Sequence, residues 1–175
     1  MGTDNVKKRV FIMPIATEGI IDREWADLLR SWIDGDRYVD YYIERRNTGI
    51  NIPIEQDDSD RINSQLKWID SITGLRVRET SDPNNADLFF TQVDAQFFDN
   101  PVDEGTLGYT ELVTNGSREY FDIVYVDDEV NDYYAAVDGV TINHEIGHGL
   151  GLDHPYGDGF NSNFTRDDTI MSYNP

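Results

Sequence analysis

All three histidines of this 175-residue chain fall within one short window, His144-Glu145-Ile146-Gly147-His148-Gly149-Leu150-Gly151-Leu152-Asp153-His154. His144 and His148 are four apart, so on an α-helix both imidazoles project from one face and can share a cation. Glu145 follows the first of them and is placed to take a proton from a metal-polarised water without itself binding the metal. After Gly149 the chain must turn sharply, and Gly151 accepts positive φ at little steric cost. That turn can bring His154 back to the same cation. Three imidazoles with an open fourth position describe a catalytic zinc site rather than a closed structural one. Zinc in such sites lowers the pKa of its water to about 7. A bare H-E-x-x-H can arise by chance. A glycine and a third histidine at fixed spacing, with no histidine elsewhere, make chance or plain core packing a poor account of this one.

These groups need a helix beneath them. Ile142, Ile146 and Leu150 repeat every four residues on a neighbouring stripe, which predicts a core-facing helix from about Asp138, as N-cap, to Leu150. Upstream, residues 10–15 read as a short apolar strand. Trp25, Leu28, Leu29, Trp32 and Ile33 have helical spacing over 21–33, broken by Gly35 and Asp36. A strand is expected around 49–54. The acidic run 57–60 suits a helix start over residues 59–72, where Ile62, Leu66, Ile69 and Ile72 are apolar, and Gly74 ends it. Strands follow at 75–80 and 86–93 around a turn at 82–85. Residues 99–106 read as loop. Two further strands, 107–114 and 120–126, are joined by Asn115-Gly116-Ser117. Strands with interposed helices, then the histidine helix, make an α+β fold. No repeat or linker interrupts it, so residues 1–175 form one domain.

Bulk properties bound the partners. Hydrophobic residues are 38% of the chain and aromatics 12%, enough to build a core. The net charge of -20, from 34 acidic and 14 basic residues, argues against nucleic acid or an anionic membrane surface. Such acidity suits a solvated surface, and acidic loops could also hold structural calcium. Asp127-Asp128-Glu129 is one such loop, with a solvated turn as its other reading. Cysteine is absent, which excludes disulfides and thiolate chemistry. No apolar run approaches the length of a membrane span, and residues 1–5 carry no secretory apolar region. A monomer is expected.

At this point the sequence resembles the metzincin metallopeptidases. Their signature H-E-x-x-H-x-x-G-x-x-H is met at all five fixed positions: His144, Glu145, His148, Gly151 and His154. Thr169-Ile170-Met171-Ser172-Tyr173 stands where metzincins carry a methionine turn beneath the zinc. The wording His-Pro after the window and Met-Ser-Tyr is most like the serralysin branch, with matrixins next. The resemblance implies a mixed, mostly parallel twisted sheet of about five strands with an antiparallel edge strand. It also implies two or three helices, including the one carrying the histidines, and a small lower subdomain, about 152–175, below an upper one, about 1–151. It implies zinc held by His144, His148 and His154, structural support from Gly151 and Met171, and Tyr173 beside the zinc as oxyanion stabiliser. Tyr173 as simple packing is the competing reading.

The implied activity is hydrolysis of internal peptide bonds in proteins, with Glu145 as general base and the substrate extended along the edge strand at Tyr109, Thr110 and Glu111. Secretion is implied by family habit. Two departures stand out: the link from His154 to Met171 is short, and no Gly-Gly-x-Gly-x-Asp calcium repeat is present. They keep open a zinc-binding structural or interaction module with little proteolysis. Asp153 either orients a ligand or faces solvent.

Overall fold

Along β1 (Tyr38–Ile43), β4 (Leu88–Asp94) and β6 (Arg118–Asp127), alternate side chains turn to opposite faces, as the strand period of two requires. Val39, Tyr41, Ile43, Leu88, Phe90, Phe121, Ile123 and Tyr125 all join one buried cluster. Three helices add to that same cluster: α1 (Arg23–Ile33) gives Leu29, α2 (Gln56–Thr73) gives Ile62, Leu66 and Ile69, and α3 (Ala135–Gly149) gives Ile142 and Ile146. Each fully buried aliphatic side chain contributes roughly 1.5–3 kcal/mol, so α3 is held to the sheet mainly by its two isoleucines. The computed structural model describes residues 15–33, 37–94, 107–127 and 135–175.

Three more strands complete the sheet: β2 (Asn51–Ile52), β3 (Arg76–Glu79) and β5 (Gly108–Asn115). The order is β3-β1-β4-β6-β5, with β2 also paired to β4. Neighbours from β3 to β6 run parallel, while β5 and β2 pair antiparallel. The fold is thus α+β, with a mostly parallel mixed sheet and an antiparallel strand, β5, at its edge. The second face carries a smaller apolar group, Val93, Val124 and Val126 with Tyr109. Among the described residues no helix is long and apolar enough to cross a membrane.

Several sequence expectations need correction. The strand at 49–54 shrinks to β2, whose two residues pair with Gln92 and Val93. The longer strand β1 was not foreseen. α2 starts at Gln56, so Asp57 and Asp58 sit in its first turn, and Glu55 before it makes no side-chain capping bond. Their stabilisation therefore comes through the helix dipole rather than a cap. Asp138 is not an N-cap, because α3 already begins at Ala135. The strand expected at 10–15 falls almost wholly outside the described residues, as do the loop 99–106 and the acidic residues Asp128 and Glu129.

Candidate metal centre

α3 ends in a two-bond cap. The Gly151 N–H donates to the His148 carbonyl at 2.8 Å and the Leu152 N–H to the Gly147 carbonyl at 2.9 Å. This pairing requires a left-handed residue at the first position past the helix, and Gly151 has φ +83°. A second demand falls on the same residue. A Cβ at Gly151 would lie 2.8 Å from both Cα and Cβ of Ala26 in α1. The turn is also stitched to the chain before α1: Ile21 and Leu152 form an antiparallel bridge, flanked by Asp22 N–H to Gly151 O at 3.0 Å and Asp153 N–H to Ile20 O at 2.8 Å.

The result is convergence of the three imidazoles. His144 Nε2 lies 3.2 Å from His148 Nε2 and 3.2 Å from His154 Nε2. The other nitrogens of two rings are already committed: His144 Nδ1 donates to the Ile170 carbonyl at 2.8 Å and His148 Nδ1 to the Leu152 carbonyl at 2.9 Å. With Nδ1 carrying the proton, both Nε2 atoms of the neutral rings present lone pairs. Two lone pairs at that separation repel unless a cation sits between them. Tetrahedral zinc, with Zn–N of about 2.0–2.1 Å, would set its ligand nitrogens about 3.3 Å apart. The three histidines could therefore hold a metal ion, and their ligand atoms all lie within 4.8 Å of one another. Burial supports this by lowering all three imidazole pKa values, to about 4 at His144, which leaves the rings neutral and able to ligate.

The segment around Met171 supports the rings from below. Met171 is fully buried, and a Cβ on Gly147 would lie 2.6 Å from its sulfur. Only glycine at the fourth position of the motif, Gly147, allows that approach. The preceding carbonyl, Ile170, is the one that orients His144. Ser172 and Asn174 tie the segment to Phe164 and Asn161 through main-chain carbonyls. Hydrogen bonds to main-chain carbonyls thus join apolar packing in holding this small region together. Tyr173 lays its ring across Gly159, stacks on His144 at 5.1 Å between centroids, and brings its hydroxyl 2.8 Å from His154 Nε2. Asp153 accepts the His154 N–H at 2.7 Å and its carboxylate sits 3.9 Å from His154 Nδ1. It braces the backbone of that histidine rather than bonding its ring.

Glu145 is buried beside the cluster. Loss of water pushes its carboxyl up to about 7, opposed by a hydrogen bond with Thr110. Burial and the nearby Glu145 charge likewise raise the Tyr173 phenol. A cavity of about 330 Å³ opens here, lined by Glu145, His148, His154 and Tyr173 on one side, Gly108, Tyr109 and Thr110 of β5 on another, and Asp22, Trp25 and Asp153 on the third. A wider depression of about 560 Å³ lies around Asp40 and Arg78 at the other end of the sheet. There the charges already satisfy each other, because Arg78 is ion-paired to Asp40 at 2.6 Å, and it holds no imidazole.

His144, Glu145, His148, Gly151, His154, Met171, Tyr173, Tyr109 and Thr110 come together at this place, and Glu111 does not. Glu111 instead faces Asp122 across the β5–β6 pair. The sequence reading missed Trp25 at the site, which stacks on Phe121 at 4.6 Å and meets His148 edge-on with ring centroids 6.5 Å apart. It also missed Asp22, Gly147 and Ile170. A glycine inside an otherwise strong helix was a usable signal for Gly147. The carbonyl of Ile170 has none, since any residue supplies one. No protein-family model matches the chain, and no curated protein matches it significantly.

Proposed function

We propose that the chain is a zinc-dependent endopeptidase of the metzincin type. The observation that carries this reading is the convergence of three neutral Nε2 atoms beside a buried glutamate, in a cavity bordered by an edge strand. His144, His148 and His154 would hold the zinc; three nitrogen ligands with room for a fourth group favour that metal over calcium or magnesium, which take oxygen. When bound, zinc supplies Lewis acidity toward a carbonyl oxygen and lowers the pKa of water.

The chain's own groups do the rest. Glu145 takes a proton from the attacking water and passes it to the leaving nitrogen, so that one water and one peptide bond become a carboxylate and an amine. Its raised pKa suits a group that must both take and return a proton. Tyr173 would turn its hydroxyl from His154 toward the oxygen on which charge develops. Among the described residues β5 is the last strand of the sheet, and its main-chain groups suit an extended peptide, which favours a protein substrate over a small amide.

The Tyr173 hydroxyl, 2.8 Å from His154 Nε2, also favours a second reading, a closed zinc site in a structural or interaction module. One experiment separates them: zinc content by elemental analysis and cleavage of an unfolded casein substrate, for the native chain and for Glu145→Gln. The peptidase reading expects about one zinc in both proteins and a loss of roughly 10²–10⁴-fold in cleavage for the variant. One zinc with no Glu145-dependent cleavage would defeat it and favour the module.

A further inference from the structure

The proposed chemistry needs Glu145 in one place, yet its side chain has three rotatable bonds and sits one residue from a metal ligand. β5 answers this with two residues on the same strand face. Gly108 makes the space: a Cβ there would lie 3.2 Å from Glu145 Cγ and 2.7 Å from Thr141 Cγ2. Thr110, two positions on, makes the bond: its Oγ1 lies 2.9 Å from Glu145 Oε2 and 2.9 Å from the Glu145 carbonyl oxygen. We propose that Thr110 is a positioning residue for Glu145, its hydroxyl anchoring the carboxylate to the edge strand β5 beside the three imidazoles.

The donor count explains why a hydroxyl suits this role. Thr110 has one proton and two acceptors beside it. With Glu145 ionised, the proton serves the carboxylate, which keeps Oε2 anchored and leaves the other oxygen to face water. Because Oε2 is bonded to the strand that also lines the cavity, the base is fixed relative to that edge and not only to its own helix.

The inference rests on the peptidase reading for its catalytic consequence, but the contact itself can be tested without it. Thr110→Val keeps shape and β-branching while removing the hydroxyl; Thr110→Ser restores the hydroxyl on a smaller side chain. Cleavage kinetics on a quenched peptide should show kcat lowered about 10–100-fold in the valine variant, the scale of a lost hydrogen bond to a charged group. KM and zinc content should stay unchanged, and serine should recover most of the loss. A valine variant with native kcat, or a serine variant as impaired as valine, would overturn the proposal.

The independent readout is the carboxyl ¹³C resonance of Glu145, assigned with Glu145→Gln and followed in the zinc-loaded and chelated protein. It should move in Thr110→Val and return in Thr110→Ser. An unmoved resonance would overturn the proposal, whatever the kinetics show. If the resonance moves but the native chain cleaves nothing, the contact stands and the peptidase reading fails.

Discussion

Gly151 carries two separate steric demands, and a methyl group placed there tests both. Its φ of +83° costs an L-residue about 1–2 kcal/mol. The new Cβ would also meet Ala26 Cα at 2.8 Å and Ala26 N at 2.9 Å. Those are backbone atoms that cannot rotate away, and overpacking of this kind costs about 1–3 kcal/mol. Gly151→Ala should therefore lose roughly 2–5 kcal/mol in urea unfolding of the chelated protein, or about 4–20 °C in Tm at this chain length.

Asparagine separates the two parts, since it tolerates the left-handed region but still carries a Cβ. Gly151→Asn should keep the contact cost alone, about 1–3 kcal/mol. Both variants move α1 away from the turn that presents His154, so zinc affinity in a chelator competition should fall more than about tenfold, as when ligand orientation is disturbed elsewhere. An alanine variant within about 0.5 kcal/mol of native would refute the reasoning. Asparagine as costly as alanine would refute the backbone part of it.

Two further expectations concern the metal and the far face of the sheet. Zinc at a hundred times its Kd should raise unfolding stability by about 2.7 kcal/mol, and that increment should disappear in His148→Gln; a chelator-insensitive native protein would contradict the site. Asp122 has its carboxyl pushed up to about 6 by burial, with the Glu111 charge adding to it. A raised carboxyl pKa means that the folded state keeps a proton the unfolded state gives up, so stability drops as pH rises from about 4 to 6. Asp122→Asn retains an acceptor for the Thr91 hydroxyl and should add up to about 3 kcal/mol at pH 8, fading to nothing by pH 4. An equal effect at both pH values would show that charge is not the cause.

The candidate metal centre was legible in sequence because helical periodicity is local: His148 follows His144 by four positions, and one glycine suffices for the turn. The helix α2 was legible for the same reason. β1 was not. Its buried positions Val39, Tyr41 and Ile43 alternate with Tyr38, Asp40 and Tyr42, and tyrosine on both faces blurs the apolar–polar contrast that marks a half-buried strand. The strand at 49–54 failed in the opposite way. Its alternation was clear, but only Asn51 and Ile52 find a partner in β4. The groups that aim the imidazoles, the carbonyls of Ile170 and Leu152, are backbone atoms brought in by tertiary structure and leave no mark on residue type. The role of Trp25 likewise depends on where α1 lies.

The bridge between Ile21 and Leu152 joins stretches near opposite ends of the described chain. Contacts so distant in sequence close late in folding, since loop entropy opposes them until intervening structure is in place. His148 and His154 flank Leu152 of that bridge, so the turn presenting His154 gains its last support only when the chain before α1 is in place. Zinc here would not nucleate folding, as it does in small metal-dependent domains; it would be captured by a nearly finished protein. On the proposed function, a chain still folding or partly unfolded would carry no working hydrolytic centre, and proteolytic capacity would appear only with the completed fold.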